Sequence, residues 1–447
     1  MSATQARHDI LEAYRRHTPG SAAAYGRGSR SLAGGTTGNL RYFPPYPLYF
    51  RSGDGARMVD VDGRSYLDCF LCNGPMLLGH RHPAVLAGIS RHAAMGSMLV
   101  NPLLAVDLAE LLQQVIPSAE RVRFLNSGTE AVMAAVRYTR ARTGRSRVIK
   151  FYGHYHGQDD QFLVGLGPTA EKLGLGIPEA AVSLSALVPY GNLDALEAAL
   201  RAGDVAAVVL DPAMHSGGLW GSSREYLHGV RALTRQHGAL LIFDEVITGF
   251  RLALGGAQAL HGVTPDLSTF AKALAAGEKL AAVVGSEEVM RCLDPQAPGG
   301  ATVFQSGTGN DGTVALAAAL AAVSEYRQLD GQGGYASLAA LGARLAEGLR
   351  TAFARRKVPC HVNQLGPMLQ IFTSAGKPGF VEFSSLDTGA VALFYLALIT
   401  EGVLLSLPTS NHIYLSFVHT QADIDEIVTK AGVVLDRYDF GALVANH

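Results

Sequence analysis

One stretch of the chain, Leu240 to Lys272, holds residue types that can do chemistry together. The apolar run Ala239 to Phe243 is short enough for a fully buried strand, and it ends on two acids, Asp244 and Glu245. A carboxylate at the end of a buried strand is costly unless a cation meets it. Downstream, Thr264-Pro-Asp supplies a turn, Leu267 to Phe270 forms a second short apolar run, and Lys272 follows. If the two runs are neighbouring strands of an α/β sheet, acid and amine face one crevice, because ligands bind outside the carboxyl ends of such strands.

An acid and an amine placed in this way suit pyridoxal phosphate. The cofactor needs a lysine for its Schiff base and an acid against its ring nitrogen, so that the ring can take up a carbanion's electrons. Taken alone, the pair reads more simply as a strand end beside a solvated surface lysine. Lys279 is a second candidate for the amine.

The elements that must position these groups can be read in chain order. The first twenty residues form a polar, amphipathic helix rather than a signal peptide. Gly28 to Phe50 is rich in Gly, Pro and aromatics without helical period, which predicts a long arm lying over another surface. Alternation around Val61-Asp-Gly predicts a hairpin. The run Val122 to Leu125 leads into Asn126-Ser-Gly-Thr-Glu-Ala and a helix, a geometry that aims backbone N–H groups at an anion, or that simply caps a helix. The strand Arg147 to Phe151 enters Tyr152-Gly-His-Tyr-His-Gly. With no acidic or Cys partners at metal spacing, this ring cluster predicts stacking on a flat cofactor rather than a metal site. Gln161 to Ala181 predicts a covering loop, and Val205 to Leu210 a buried strand ending in Asp211-Pro. Beyond about residue 325, helices alternate with short strands at 368–372, 403–407 and 413–417, a separate small α/β lobe.

The bulk properties bound the class. A chain of 447 residues exceeds one ordinary core, and 48% hydrophobic against 17% charged residues suits a well-buried globular enzyme. Lys plus Arg number 37 against 38 acids, so no basic field exists to attract nucleic acid, and no apolar run approaches a membrane span. Cys69 and Cys72 form a CxxC with no second pair, which reads as buried thiols in a reducing, cytoplasmic setting.

Taken together, FDEVITGFR, GVTPDL and the following Lys, with NSGTEA, an LGH-x-HP segment ending at Pro83, G-x-[YF]-HG and Q-x-GT, resemble the class III (subgroup II) pyridoxal-phosphate-dependent aminotransferases. Within that family the chain is most similar to glutamate-1-semialdehyde aminomutase and its aminotransferase relatives. The resemblance runs from roughly Gly34 to Ile427. It implies an α/β fold of type I: a large domain with a mixed, mostly parallel sheet flanked by helices, plus a smaller α/β domain. The expected division is 1–75 as helix, arm and hairpin of the small lobe, 76–325 as the cofactor domain and 326–447 as the C-terminal small domain.

The resemblance also implies site roles. Lys272 is the Schiff-base lysine, preferred to Lys279 by its spacing from Asp244, and Asp244 meets the ring nitrogen. Ser127, Gly128 and Thr129 hold the phosphate. Tyr155 lies on one ring face and Val246, placed by strand alternation two residues beyond Asp244, on the other, with His156 in a structural hydrogen bond. Asp211 stands where the family has Glu, supporting the cofactor's surroundings. Thr308 reaches the phosphate of a neighbouring subunit, which implies a homodimer with shared sites. Arg41 of the arm is the candidate for a substrate carboxylate, or alternatively a surface or dimer-contact arginine. Besides Asp211, the chain departs from the aminomutase where His215-Ser216-Gly217 stands in place of an Asn and Gly312-Thr313 in place of Asn-Pro. It departs also where Ala-Leu-Ala-Ala-Gly-Glu-Lys replaces a run of glycines after Lys272, in its aromatic arm, and in PTSNHIYLSFV, which carries no acid where the aminomutase has a glutamate. The expectation is therefore an intermolecular aminotransferase, with the aminomutase and a non-catalytic cofactor-binding module as alternatives.

Overall fold

The structure is a computed structural model that describes residues 2–296, 302–374, 379–380, 386 and 388–445. The chain divides into two compact units, one of residues Met1–His82 with Ala336–His447 and the other of Pro83–Tyr335.

The first unit opens with the helix Ala3–His17, capped by the Ser2 side chain, and a second helix, Pro19–Gly28. The arm that follows has only two short 3-10 turns, Ala33–Gly35 and Asn39–Arg41, and it packs on its own unit: Phe43 is buried, and the Tyr14 hydroxyl donates to the Tyr46 carbonyl at 2.8 Å. Strands β1 (Phe50–Asp54), β2 (Arg57–Asp60) and β3 (Ser65–Asp68) form an antiparallel meander.

The second unit holds a seven-stranded sheet. Its strands are β4 (Arg121–Leu125), β5 (Arg147–Phe151), β6 (Ser185–Val188), β7 (Val205–Leu210), β8 (Leu240–Asp244), β9 (Leu267–Phe270) and β10 (Ala281–Gly285), in the spatial order β4-β10-β9-β8-β7-β5-β6. All neighbours run parallel except β10, which is antiparallel to both β9 and β4. Both faces are covered. On one, Ala207, Val209, Ile242 and Val283 pack against Ala131, Ala135 and Tyr138 of the helix Gly128–Thr143. On the other, Val208, Leu210, Leu241 and Phe243 meet Tyr226, Leu227 and Val230 of the helix Arg224–Gln236. Burial on both sides is why these strands read as unbroken apolar runs rather than alternating ones.

The chain then returns to the first unit. Its strands β11 (His361–Leu365), β12 (Met368–Phe372) and β14 (Ile413–Tyr414) form a three-stranded antiparallel sheet, and β13 (Val403–Leu404) joins the meander parallel to β3. β14 and β13 are shorter than the runs 413–417 and 403–407, because the chain leaves the sheet after two paired residues.

Candidate functional site

The two apolar runs of the central stretch are neighbours. β8 and β9 pair in parallel with Asp244 opposite Thr269, so Asp244 ends one strand and Lys272 follows the end of the next. Side chains alternate along a strand, and Ile242 packs toward the helix Gly128–Thr143, so Asp244 points to that same face. There it is nearly buried and held from three sides. His156 Nδ1 lies 2.8 Å from Oδ2, and Oδ1 accepts from the Thr269 hydroxyl at 3.1 Å and the Val246 N–H at 3.2 Å. Because a carboxylate only accepts, His156 carries a proton on Nδ1. Burial and the nearby Lys150 cation pull the His156 imidazole below its usual range against the opposing pull of Asp244.

Val246 does not continue the strand. The chain turns directly after Asp244, since the Val246 N–H folds back onto the Asp244 carboxylate. The turn still brings Val246 to the same face: a Cβ on Gly128 would sit 3.0 Å from both Val246 methyls and 3.7 Å from the Cβ of Ala271. The bare glycine thus lets the first turn of the helix approach the residue before Lys272.

Ser127 caps that helix, its Oγ accepting the Glu130 N–H at 3.2 Å. The first N–H groups of a helix have no intrahelical partner, so those at Gly128 and Thr129 are available to an anion. The ring loop is seated on the same turn. The Gln158 N–H donates to the Thr129 hydroxyl at 3.2 Å, and Gly157, at φ +90°, has no room for a Cβ, which would fall 2.6 Å from Thr129 Oγ1. Tyr155 is 39% exposed and close enough to Asp244 for its charge to raise the phenol further, beyond the effect of burial.

Lys272 sits at φ +46°, a left-handed conformation that costs a non-glycine residue about 1 to 3 kcal/mol and is typically tolerated at functional sites. No hydrogen bond from another described residue reaches its amine. Burial lowers its pKa, while Asp244 and Asp211 pull the other way. Lys279, by contrast, is exposed on the following turn. Asp211 is buried at the end of β7, where its carboxylate caps a turn through the N–H groups of Ala213 and His215, both at 2.9 Å. Burial pushes it up to about 7.

These groups fit pyridoxal phosphate. An unpartnered amine, a held carboxylate, a helix N-terminus stripped of a Cβ and an exposed ring meet within one unit. Thr308 is exposed, on a turn beside the start of that helix: Asn126 Nδ2 donates to Asn310 Oδ1 at 3.0 Å. Arg41 is exposed on its 3-10 turn in the first unit and borders a cavity of about 350 Å³ lined mainly by apolar side chains, among them Phe43, Phe70, Leu404 and Leu407. Cys69 is buried, 3.7 Å from His419 Nε2, and Cys72 is beside Arg41, whose charge and hydrogen bond oppose the upward effect of burial on the thiol.

Three residues of the site are not singled out by the sequence: Thr269 and Lys150 carry no signal of their own, and His154 stands out only as part of the ring cluster. Thr269 and His154 hold Asp244 and the Asp211 backbone, the latter through a 3.1 Å bond from the Asp211 N–H to His154 Nδ1. The third is Lys150, buried on β5. Only strand register, which pairs Asp244 with Thr269, could have pointed to the first.

The class-III aminotransferase family model matches residues 42–434. A glutamate-1-semialdehyde 2,1-aminomutase of Brevibacillus brevis is 37% identical over 408 residues, covering 89% of this chain and 94% of its own length. The crystal structure of a β-phenylalanine aminotransferase from Variovorax paradoxus superposes with a TM-score of 0.89 at 27% identity, over 99% of both chains. That of a glutamate-1-semialdehyde aminomutase variant from Pseudomonas aeruginosa PAO1 in complex with PMP does so with a TM-score of 0.87 at 26% identity, over 98% of both.

Proposed function

From the premise that the chain belongs to the class III aminotransferases and uses pyridoxal phosphate, we propose that it moves an amino group between two separate molecules, one of them a carboxylate with an apolar body. The observation that carries the substrate class is the cavity beside Arg41. It offers one guanidinium, suited to a carboxylate, and otherwise mostly hydrocarbon and aromatic walls. The relative from Variovorax paradoxus, named for β-phenylalanine, is consistent with an acid of that kind. The cavity wall includes Leu407, directly before the PTSNHIYLSFV segment, which holds no acid to meet a second amine.

When bound, pyridoxal phosphate supplies an aldehyde that captures amines and a ring that accepts electrons. The protein's part is positional and protonic. Gly128 and Thr129 N–H groups hold the phosphate, with the Ser127 hydroxyl free to donate while it accepts in the cap. Asp244, oriented by His156 and Thr269, would face the ring nitrogen, and Tyr155 and Val246 would lie on opposite sides of the ring. Lys272 Nζ, its affinity for protons lowered by burial, takes the substrate's α proton. Asp211 keeps its turn in place and adds negative charge near Lys272.

We also infer a homodimer. Val100 is 89% and Leu103 79% exposed on a segment with further exposed apolar residues, Met95, Met98 and Val106, and Met98 bridges to Gly312 near the Thr308 turn. Patches of this kind mark an interface, and a second copy over it puts Thr308 beside the partner's phosphate site. Leu103→Asp is expected to shift the sedimenting species from dimer toward monomer.

The aminomutase is the second reading, favoured by the name of the Brevibacillus brevis relative. A half-reaction screen separates the two. Loaded protein is mixed with single amines and the cofactor's absorbance is followed: conversion by apolar amino acids supports transfer, and conversion only by glutamate 1-semialdehyde or its diamine overturns it. Borohydride labelling should tag the peptide containing Lys272.

A further inference from the structure

A buried cation that none of these roles uses lies below the ring loop. Lys150, on β5, has no exposed surface, and among the described residues its ammonium has no carboxylate partner. Nζ donates instead to two backbone carbonyls, Phe162 at 2.9 Å and Val164 at 2.7 Å. Burying a lysine this way is costly and burial alone pushes it down to about 7, so the arrangement calls for a reason beyond packing.

The reason is in what the two carbonyls hold. Val148 packs on the face of the sheet that Asp244 shares, and alternation places Lys150 there too. The clamped segment carries the Phe162 ring, which meets the His156 ring edge-on with centroids 5.6 Å apart. It also returns to the ring loop directly, the Gly153 N–H donating to the Gly165 carbonyl at 2.9 Å. Lys150 therefore grips the support on which His156 stands, and His156 Nδ1 meets Asp244.

We propose that Lys150 is a positioning residue for the cofactor: it clamps the 162–164 segment against His156 and so holds the imidazole that orients Asp244. The proposal rests on Asp244 facing the cofactor's ring nitrogen. The charge works in the same direction as the clamp. The groups acting on His156 are Asp244, which favours imidazolium, and Lys150, which opposes it; His154, next along the loop, is also held down by Lys150. A neutral His156 with its proton on Nδ1 is the form that donates to Asp244 without cancelling the carboxylate's charge.

Two substitutions separate clamp from charge. Lys150→Met removes both; Lys150→Gln keeps N–H donors and removes the charge. Two measurements are made: the rate at which loaded protein loses cofactor on dilution, and the ¹⁵N shifts of His156 as the cofactor-free protein is titrated. In Lys150→Met, cofactor loss should accelerate about tenfold or more, the size of a lost charge-assisted hydrogen bond, and the His156 midpoint should rise. In Lys150→Gln the midpoint should rise likewise while retention recovers to within about threefold. Retention in Lys150→Met equal to that of the unsubstituted protein, or an unmoved His156, overturns the proposal. So does failure of both variants to fold, which leaves Lys150 a structural role alone. The titration is read without cofactor, so a wrong assignment of Asp244 would show instead as unaltered cofactor loss in Asp244→Asn.

Discussion

Asp244 and Glu245 are adjacent acids at the end of one strand, yet the two sides of that strand treat them differently. Asp244 emerges on the face of the helix Gly128–Thr143, among His156, Thr269 and Val246, with the Lys272 amine acting on it through space. Glu245 emerges on the other side, has no exposed surface, and is enclosed by donors: the Thr248 hydroxyl at 2.9 Å, the N–H groups of Ala257 and Gln258 at 2.6 and 2.9 Å, and the Gln258 amide at 3.2 Å. Gly256, at φ +76°, is required there, since a Cβ would fall 2.3 Å from Glu245 Oε2. Two carboxylates one residue apart thus separate by surroundings into one open to a ligand and one that ties down the short helix Gly256–His261. Chemistry follows the side with a vacant amine, and stability follows the side where the donors already have their acceptor.

The sharpest way to break that contrast is to neutralise each acid in turn. Asp244→Asn keeps the shape but not the charge, its amide oxygen accepting on the Thr269 side while its NH2 can no longer accept from His156, and should lower kcat/KM by on the order of 10⁴, roughly 5.5 kcal/mol, with a smaller loss of stability than at Glu245. Glu245→Ala should do the reverse. It strands four buried donors, each worth about 1 to 3 kcal/mol, so unfolding in urea should lose roughly 5 kcal/mol while the surviving folded fraction keeps its kcat. If Glu245→Ala lost activity at unchanged stability, the two sides would have been assigned the wrong way round.

Asp211 is a third buried acid, held by two backbone donors where Glu245 has two backbone and two side-chain donors. Burial raises it from 3.8 to about 7. A folded pKa above the unfolded one means that the folded chain holds the proton longer. Its contribution is therefore complete below pH 3.8 and is lost as pH rises through about 7. At 1.36 kcal/mol per unit this is about 4 kcal/mol at most. In cofactor-free protein, urea unfolding across that window should lose this slope in Asp211→Asn. An unchanged slope would mean that the proton uptake belongs to another group.

Much of this site could be read before any coordinates, for identifiable reasons. Strands buried on both faces appear as apolar runs, and the residues at their ends are then the ones outside the core, which is how Asp244, Lys272 and Ser127 to Thr129 stood out. What stayed hidden depends on register or distance. Thr269 looks like any strand threonine until it is paired with Asp244, and Lys150 looks like a solvent-facing residue until carbonyls 12 and 14 positions later close on it. The alternation that reaches Val246 extends past the point where the strand stops; the Val246 N–H, bonded to Asp244, makes the turn that brings it against Gly128. The joining of the N-terminal meander to the C-terminal segment rests on Leu67 pairing with Val403, a contact no local pattern encodes.

The smallest expected effect tests how closely the Asp244 side is built. Gly128 has no φ that demands glycine, since it is the first residue of a regular helix, and by propensity alone alanine there should be neutral or slightly better. Space argues otherwise. The added methyl would stand 3.0 Å from both methyls of Val246, tighter than ordinary contact, with Ala271 at 3.7 Å behind it. Either the helix start withdraws from Val246 or Val246 shifts, and on the proposed roles of the two residues either movement disturbs the cofactor's seat. Gly128→Ala should therefore cost about 1 to 2 kcal/mol by overpacking and raise the cofactor's dissociation constant by about tenfold. Val246→Ala, which removes the two methyls in question, should restore most of the affinity in the double variant although it weakens binding on its own. Equilibrium titration of all four proteins with pyridoxal phosphate measures the coupling. Additive losses would show that the glycine serves the helix rather than its approach to Val246.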